Sequence, residues 1–409
     1  MIVLITNCTL SSRTGTETYV RDLALGLLDK GHTPVVYAPD TGPIALELRN
    51  LTIPVVDDLN NISTNVDVIH GHHRHETMTA LLHFPGVPAV FFVHDWHAWQ
   101  DLPLIFPRIL RYVAVDKTRL DRLVIENGIP EDKVTILQNG VDTRRFRPRR
   151  ALPKAPKRAA VFSSYVRSRR DLVDLRAACQ QCGLSLDVIG SGMKRLVSEP
   201  ENILRNYDLV FAIGRSALEA MAIGTGVIIW GVEGLGGFVD SHNFTRFQDS
   251  NFGRRALRPA GVADLIDEIN RFNRDEAQAV QQNVRANLNQ SYLVDQHIAL
   301  YHQVINESQV VVHDPHSEMK MASYYLKYCL PVLKHNARLT KYAPRQRHQL
   351  LDVIWITLTL FVIAFTVRVY MLAMSDRAYG VVIASISFCI LLAYLLLQLR
   401  MFVRGKLVL

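Results

Sequence analysis

The first 145 residues alternate short apolar runs with stretches of helical period. MIVLIT at residues 1–6 reads as a buried strand. A polar loop, NCTLSSRTGTET, follows it. Then YVRDLALGLLDKG repeats apolar residues at helical spacing and stops at Gly31. TPVVYAP, VDVIHGH, PAVFFVHD, YVAVD and KVTILQNG are further apolar runs, each ending in polar residues or glycine. Short, nearly continuous apolar strands separated by helices predict a parallel sheet covered on both faces. In such a sheet the chemistry sits beyond the carboxyl ends of the strands.

A basic, proline-containing stretch, DTRRFRPRRALPKAPKR, reads as a linker. The pattern then restarts with RAAVFSSY, a helix, LSLDVIG, DLVFAI and GVIIWG, which predicts a second doubly wound domain. Between its last two strands lies GRSALEAMAIGTG, a glycine turn and short helix with a single acid, Glu219. Residues 262–308 read as helices. The expected organisation is a first Rossmann-like domain at 1–148, a second at 158–290 and a crossover helix at 291–310.

The remainder differs in kind. Residues 311–349 are basic and aromatic, with Lys320, Lys327, Lys334, Arg338, Lys341, Arg345 and Arg347 met by few acids. Two apolar runs of about bilayer length follow, LLDVIWITLTLFVIAFTV and AYGVVIASISFCILLAYLLLQL, broken by AMSDR. They predict a transmembrane hairpin within 350–400. Both of its flanks are basic, and Arg400, Arg404 and Lys406 close the chain. The positive-inside rule then places the soluble domains in the cytoplasm, at an inner or plasma membrane with anionic lipids.

Composition sharpens this picture. The 49% hydrophobic content is concentrated after Leu350. The formal charge of +8 collects beside the apolar runs and the linker, which argues against a nucleic-acid partner. Five scattered cysteines form no disulfide framework. The lone pair Cys179 and Cys182 sits in a helix-like run and reads as packing. His70, His72, His73 and His75 crowd one strand end, but no carboxylate or cysteine stands at metal-ligand spacing, so no metal is expected.

Some residues invite chemistry directly. Gly15 lies after the first strand, where a glycine lets backbone N–H groups approach an anion. His94 ends a strand, where an imidazole can bond a hydroxyl, take a proton, or simply pair with Asp95.

Three segments carry a family resemblance. RTGTETYVRDLALGLLDKGH, GIPEDKVTILQNGVDTRRFRP and ALEAMAIGTGVIIW are similar, in that order, to segments of the retaining GT-B glycosyltransferases of family 4. The resemblance covers most of residues 1–308 and leaves the tail outside. It implies two Rossmann-like domains facing a cleft. The implied donor is a nucleotide sugar, UDP- or GDP-linked, with no obligatory metal or cofactor. It places Gly15 and Thr16 by the donor diphosphate or the acceptor, and makes His94 a catalytic contact to the donor sugar. The family's diphosphate-binding arginine and lysine are not matched: Ser164 and Tyr165 stand in place of glycine-arginine. Arg167, Arg169 and Arg170 are the candidates nearby. Gly190 and Gly192 would approach the nucleotide. Glu219 matches the second of two signature glutamates, the one that binds ribose. The first falls at Phe211, so Arg215 and Ser216 become the donor-sugar candidates. His70 or His72 would line the acceptor cleft.

The implied activity is sugar transfer with retention to a lipid-linked glycan or glycolipid at the cytoplasmic leaflet. Two rival readings are a GT-B sugar-nucleotide epimerase and a non-catalytic, membrane-tethered scaffold.

Overall fold

The computed structural model describes residues 1–329 apart from 14, 97, 150, 191, 193–196, 198, 312–313 and 328. The expected hairpin at 350–400, and all but the start of the basic segment at 311–349, lie outside the described residues. Among the described residues no helix is long and apolar enough to cross a membrane. The chain divides into two units, Met1–Ala322 and Ser323–Leu409. The first unit holds both sheets.

Its first sheet contains β1 (Ile2–Thr6), β2 (Thr33–Tyr37), β3 (Val55–Val56), β4 (Val68–His72), β5 (Ala89–Val93), β6 (Ile109–Ala114) and β7 (Val134–Ile136). Their order is β3-β2-β1-β4-β5-β6-β7, and every pairing is parallel. The second sheet has β8 (Arg158–Phe162), β9 (Ser185–Ile189), β10 (Leu209–Ala212), β11 (Gly226–Gly231) and β12 (Gly234–Phe238). Its order is β12-β11-β10-β8-β9, with only β12 antiparallel. The direction of winding reverses between β1 and β4 and again between β8 and β10. Those two switch points are where an open α/β sheet leaves a crevice.

The helices that pack on these sheets are α1 (Gly15–Asp29), α2 (Pro43–Asn50), α3 (Arg74–His83), α4 (Lys117–Asp121), α5 (Val173–Gln181), α6 (Pro200–Leu204), α7 (Arg215–Ile223), α8 (Phe244–Gln248), α9 (Val262–Asn270), α10 (Arg274–Asn287) and α11 (Gln290–Ser308). Helix α1 starts four residues before the apolar period suggests. Glu17, in its first turn, accepts hydrogen bonds from the Ser12 N–H (3.0 Å) and the Ser12 hydroxyl (2.8 Å), which draws the glycine loop into the helix entry.

The chain crosses between the sheets twice. On the way out Val141 pairs with the returning strand at Asn289: the Val141 N–H donates to the Leu288 carbonyl, and the Gln290 N–H to the Val141 carbonyl, both at 3.0 Å. Helix α11 then packs on the first sheet. Val294, Leu300, Tyr301 and Val304 share one buried cluster with Val3, Ile5, Val20 and Phe92. Burying an aliphatic or aromatic side chain of this kind contributes about 1.5–3 kcal/mol, so the helix is fixed to the first domain although it follows the second in sequence.

Candidate functional site

A cleft of about 490 Å³ opens at the carboxyl ends of β1, β4, β5, β8, β9 and β10. The first sheet contributes Gly15 and Thr16 after β1, His73 after β4 and His94 after β5; the second contributes Ser163, Ser164 and Tyr165 after β8, Gly190 after β9 and Gly214–Ser216 after β10. Among the described residues the walls carry six arginines, Arg13, Arg21, Arg119, Arg145, Arg215 and Arg254, against three carboxylates, Asp95, Asp101 and Glu219. Helices α1 and α7 both begin at this cleft. Excess guanidinium charge and two helix N-termini make the site suited to an anion.

Glu219 stands at the centre of an ion network. It accepts from Arg215 Nε at 3.2 Å, one helical turn back, and Arg215 reaches across the cleft to Asp22 on α1. Asp22 is also held by Arg21 Nε at 2.8 Å. Burial raises the Glu219 carboxyl above its ordinary range, while Arg215, Arg145 and Arg21 pull it back down. Arg215 is therefore an interdomain clasp as well as a cleft residue.

Phe211, eight positions before Glu219, is fully buried in β10, in a core cluster with Val161, Ile228 and Phe238. Only Ile213 and Gly214 separate that strand from α7. The connection is too short to carry an acid at that spacing into the cleft, so the counted-back position lands in the sheet. Gly214, the residue that turns the chain into α7, has φ +60°.

Two expectations are corrected. Arg167, Arg169 and Arg170 are exposed and do not line the cleft. The Asp171 carboxylate accepts from the Arg167 N–H (2.8 Å), the Ser168 N–H (2.9 Å) and the Ser168 hydroxyl (2.9 Å), tying this loop into a turn that leads to α5. Arg145, in the stretch read as a linker, does line the cleft. His70 and His72 do not line the cleft either. Both are fully buried on β4, because the run VIHGH is an interior strand of the sheet.

The glycines separate by role. Around Gly15 a Cβ would meet no protein atom within 4 Å, so that space is open to a ligand. At Gly190 (φ +150°) a Cβ would stand 2.0 Å from the Ser163 carbonyl oxygen, and at Gly192 it would stand 2.2 Å from that of Val166. Gly190 lines the cleft, whereas Gly192 serves close packing outside its lining.

His94 is partly buried in the cleft wall, edge-on to Tyr19 with ring centroids 4.6 Å apart. Its Nε2 lies 3.0 Å from His72 Nδ1, and His72 Nε2 lies 2.8 Å from His70 Nε2. His70 Nδ1 meets the Tyr301 hydroxyl of α11. Burial holds these imidazoles neutral: His94 is pushed down to about 3, and His70 and His72 lie well below the usual range. A second contact comes from the same helix. His297 Nδ1 donates to the Leu293 carbonyl at 2.6 Å, which leaves its Nε2 to accept from the Tyr19 hydroxyl, also at 2.6 Å.

The pair His73 and Asp101 has no local signature in the sequence. His73 adopts φ +60° at the entry to α3, a strained conformation for a residue with a side chain, and its Nδ1 accepts from the Cys8 N–H at 3.1 Å. Its Nε2 faces Asp101 Oδ1 at 3.5 Å. Asp101 Oδ2 accepts from the Asp95 N–H at 2.6 Å, and burial raises this carboxyl to about 6. Among the described residues no group of His, Cys, Asp and Glu is arranged to hold a metal ion.

Residues 13–145 match the sequence profile of Glycosyltransferase Family 4. The chain is a glycosyltransferase by that domain. No curated protein matches the sequence. The fold of this glycosyltransferase is similar to that of a glycosyltransferase from Rickettsia africae, at 15% identity and TM-score 0.52, covering 74% of this chain and 98% of the other. It is also similar to Anabaena HepE in complex with UDP, at 14% identity and TM-score 0.54, covering 74% and 99%. HepE with UDP and glucose aligns at 15% identity and TM-score 0.53, covering 73% and 98%. At these identities the likeness establishes the GT-B fold.

Proposed function

We propose that the protein transfers a sugar, with retention, from a nucleotide-sugar donor to a lipid-linked glycan or glycolipid acceptor, and that its tail anchors it to the cytoplasmic face of an inner or plasma membrane. The observation that carries the reading is the arginine-lined cleft at the two switch points, where Gly15, Thr16, His94, Gly190, Arg215, Ser216 and Glu219 meet. The donor diphosphate would sit between the N-termini of α1 and α7, with Arg145 and Arg215 as the nearest interior cations. Ribose hydroxyls would donate to the Glu219 carboxylate oxygen that Arg215 leaves free. Ser216 is the remaining polar contact for the sugar. The UDP held by HepE supports a uridine donor as the first to try.

Retention and the acceptor rest on the family resemblance and on the two apolar runs within 350–400, flanked on both sides by basic residues. A hairpin there would tether the chain at the bilayer, where a lipid acceptor resides. Closure about the paired crossings at Val141 and Asn289 would exclude water from the donor.

The test uses the full chain purified in detergent. It is incubated with UDP-, GDP- and TDP-sugars and a membrane lipid extract, and labelled lipid is measured. The expected result is transfer from one donor class. Arg145→Ala should weaken the donor KM, whereas Arg167→Ala and Arg170→Ala should not. Absence of transfer from every donor, together with no stabilisation of the fold by any nucleotide, would leave the scaffold reading standing.

A further inference from the structure

We infer that Tyr301 sets the proton order of the buried histidine row, so that His94 presents an Nδ1–H donor to the cleft rather than a basic nitrogen. A count of donors and acceptors leads there. The row has three contacts: Tyr301 hydroxyl to His70 Nδ1, His70 Nε2 to His72 Nε2, and His72 Nδ1 to His94 Nε2. A neutral imidazole has one N–H donor and one bare acceptor nitrogen. All three rings are neutral, so fixing one proton fixes every other.

Only two orders are possible. In the first, the Tyr301 O–H donates to His70 Nδ1. His70 then donates from Nε2, and His72 from Nδ1, to His94 Nε2. His94 carries its own proton on Nδ1. In the second, every arrow reverses: His94 donates from Nε2, and His70 donates from Nδ1 to the phenol oxygen. Tyr301 must then find another acceptor for its hydroxyl hydrogen. Tyr301 is 0% exposed, and among the described residues its hydroxyl meets no acceptor except His70. Burying an unpaired O–H is unfavourable, so the first order prevails.

His94 lines the cleft, and among the described residues no protein group bonds its Nδ1. The nitrogen left for a ligand is thus a donor. Its partner is an oxygen of the bound molecule, a sugar hydroxyl or a phosphate oxygen if the proposed glycosyltransferase reading holds. A base at this position would instead need the reversed order. Tyr301, His70 and His72 are positioning residues in this scheme; they touch no substrate and act through His94. The neighbouring pair on the same helix has its order fixed in the same way, because His297 must donate to a carbonyl and so receives the Tyr19 hydroxyl.

The experiment is 15N NMR of the full chain labelled at histidine, in detergent micelles, with the His94 resonances assigned by their loss in His94→Asn. The expected spectrum shows His94 protonated at Nδ1 and bare at Nε2. Finding the proton on Nε2 overturns the proposal. The wild-type spectrum decides this by itself, so poor folding of a variant does not shelter the idea. Tyr301→Phe keeps the shape of the ring and removes the donor. It should shift His94 partly or wholly to the Nε2–H form. In a transfer assay it should lower kcat with the donor KM little changed, by less than the roughly 10²–10³-fold that loss of a transition-state donor costs outright. An unaltered tautomer in a folded Tyr301→Phe removes Tyr301 from the scheme. A chain with the expected tautomer but no transfer activity on any donor overturns the glycosyltransferase reading and leaves the proton order intact.

Discussion

Removing the clasp at Arg215 tests the electrostatic account of the cleft. In Arg215→Ala, Glu219 loses its direct hydrogen bond at 3.2 Å, and Asp22 loses one of two arginines. The side chains of Arg215, Glu219 and Asp22 are 14%, 13% and 7% exposed, so water compensates little. Breaking a buried ion pair typically costs about 3–5 kcal/mol. Asp22 keeps Arg21, and Arg145 and Arg21 still act on Glu219, which places the expected loss at the low end, about 3 kcal/mol. The loss must depend on pH. Burial already raises the folded pKa of Glu219, and without Arg215 it rises further. A carboxyl with a raised folded pKa favours folding fully below its unfolded pKa, and that contribution is lost as pH rises through the folded value. Arg215→Ala is therefore weaker at pH 8 than at pH 5, relative to the native chain at each pH. Adding Glu219→Gln removes the stranded charge and should recover more than half of the loss at pH 8. Urea unfolding of the four proteins at both pH values completes the cycle. If Arg215→Ala matches the native chain, or if Glu219→Gln restores nothing, the network is not what holds this region.

Gly190→Ala should unfold the second domain or strongly destabilise it, because a Cβ would stand 2.0 Å from the Ser163 carbonyl at φ +150°; circular dichroism during heating checks this, and a native melting curve would refute the close approach. Asp101, 1% exposed, has its carboxyl raised from 3.8 to about 6, so its contribution to folding is present at low pH and lost between about pH 4 and 6. Asp101→Asn keeps an acceptor for the Asp95 N–H and removes the charge. It should be the more stable protein by about 2–3 kcal/mol at pH 7 and equal to the native chain at pH 4, and equal melting temperatures at both pH values would contradict the buried-charge account.

Most of the framework is legible because strands that are buried on both faces are written as short apolar runs. β1, β4, β5, β8, β10 and β11 all fall within such runs, and three helices fill the 262–308 stretch. The site is legible where a residue's place follows from a strand end: Gly15, His94, Gly190 and Arg215 all reach the cleft. It is not legible where the decision belongs to tertiary packing. Three neighbouring arginines look like a phosphate grip, yet one carboxylate, Asp171, turns their loop outward. Counting back from Glu219 leads to Phe211 because spacing cannot reveal how short the connection between β10 and α7 is. His70 and His72 lie near a strand end, which suggests the cleft, but the strand runs on through both. Nothing local marks Tyr301 as a partner of His70, since 231 residues separate them. At helical spacing from His297 it reads simply as core.

That separation matters during synthesis. The first sheet is complete once Ile136 has been made, yet Tyr301 and His297 arrive only with α11, after the whole second domain. A ribosome-bound chain ending before residue 301 holds every strand of the first sheet and an unclamped histidine row. The apolar runs at 350–400 emerge almost immediately afterwards. A nascent chain truncated before α11 would therefore hold a complete first sheet without the two contacts that fix its histidine row.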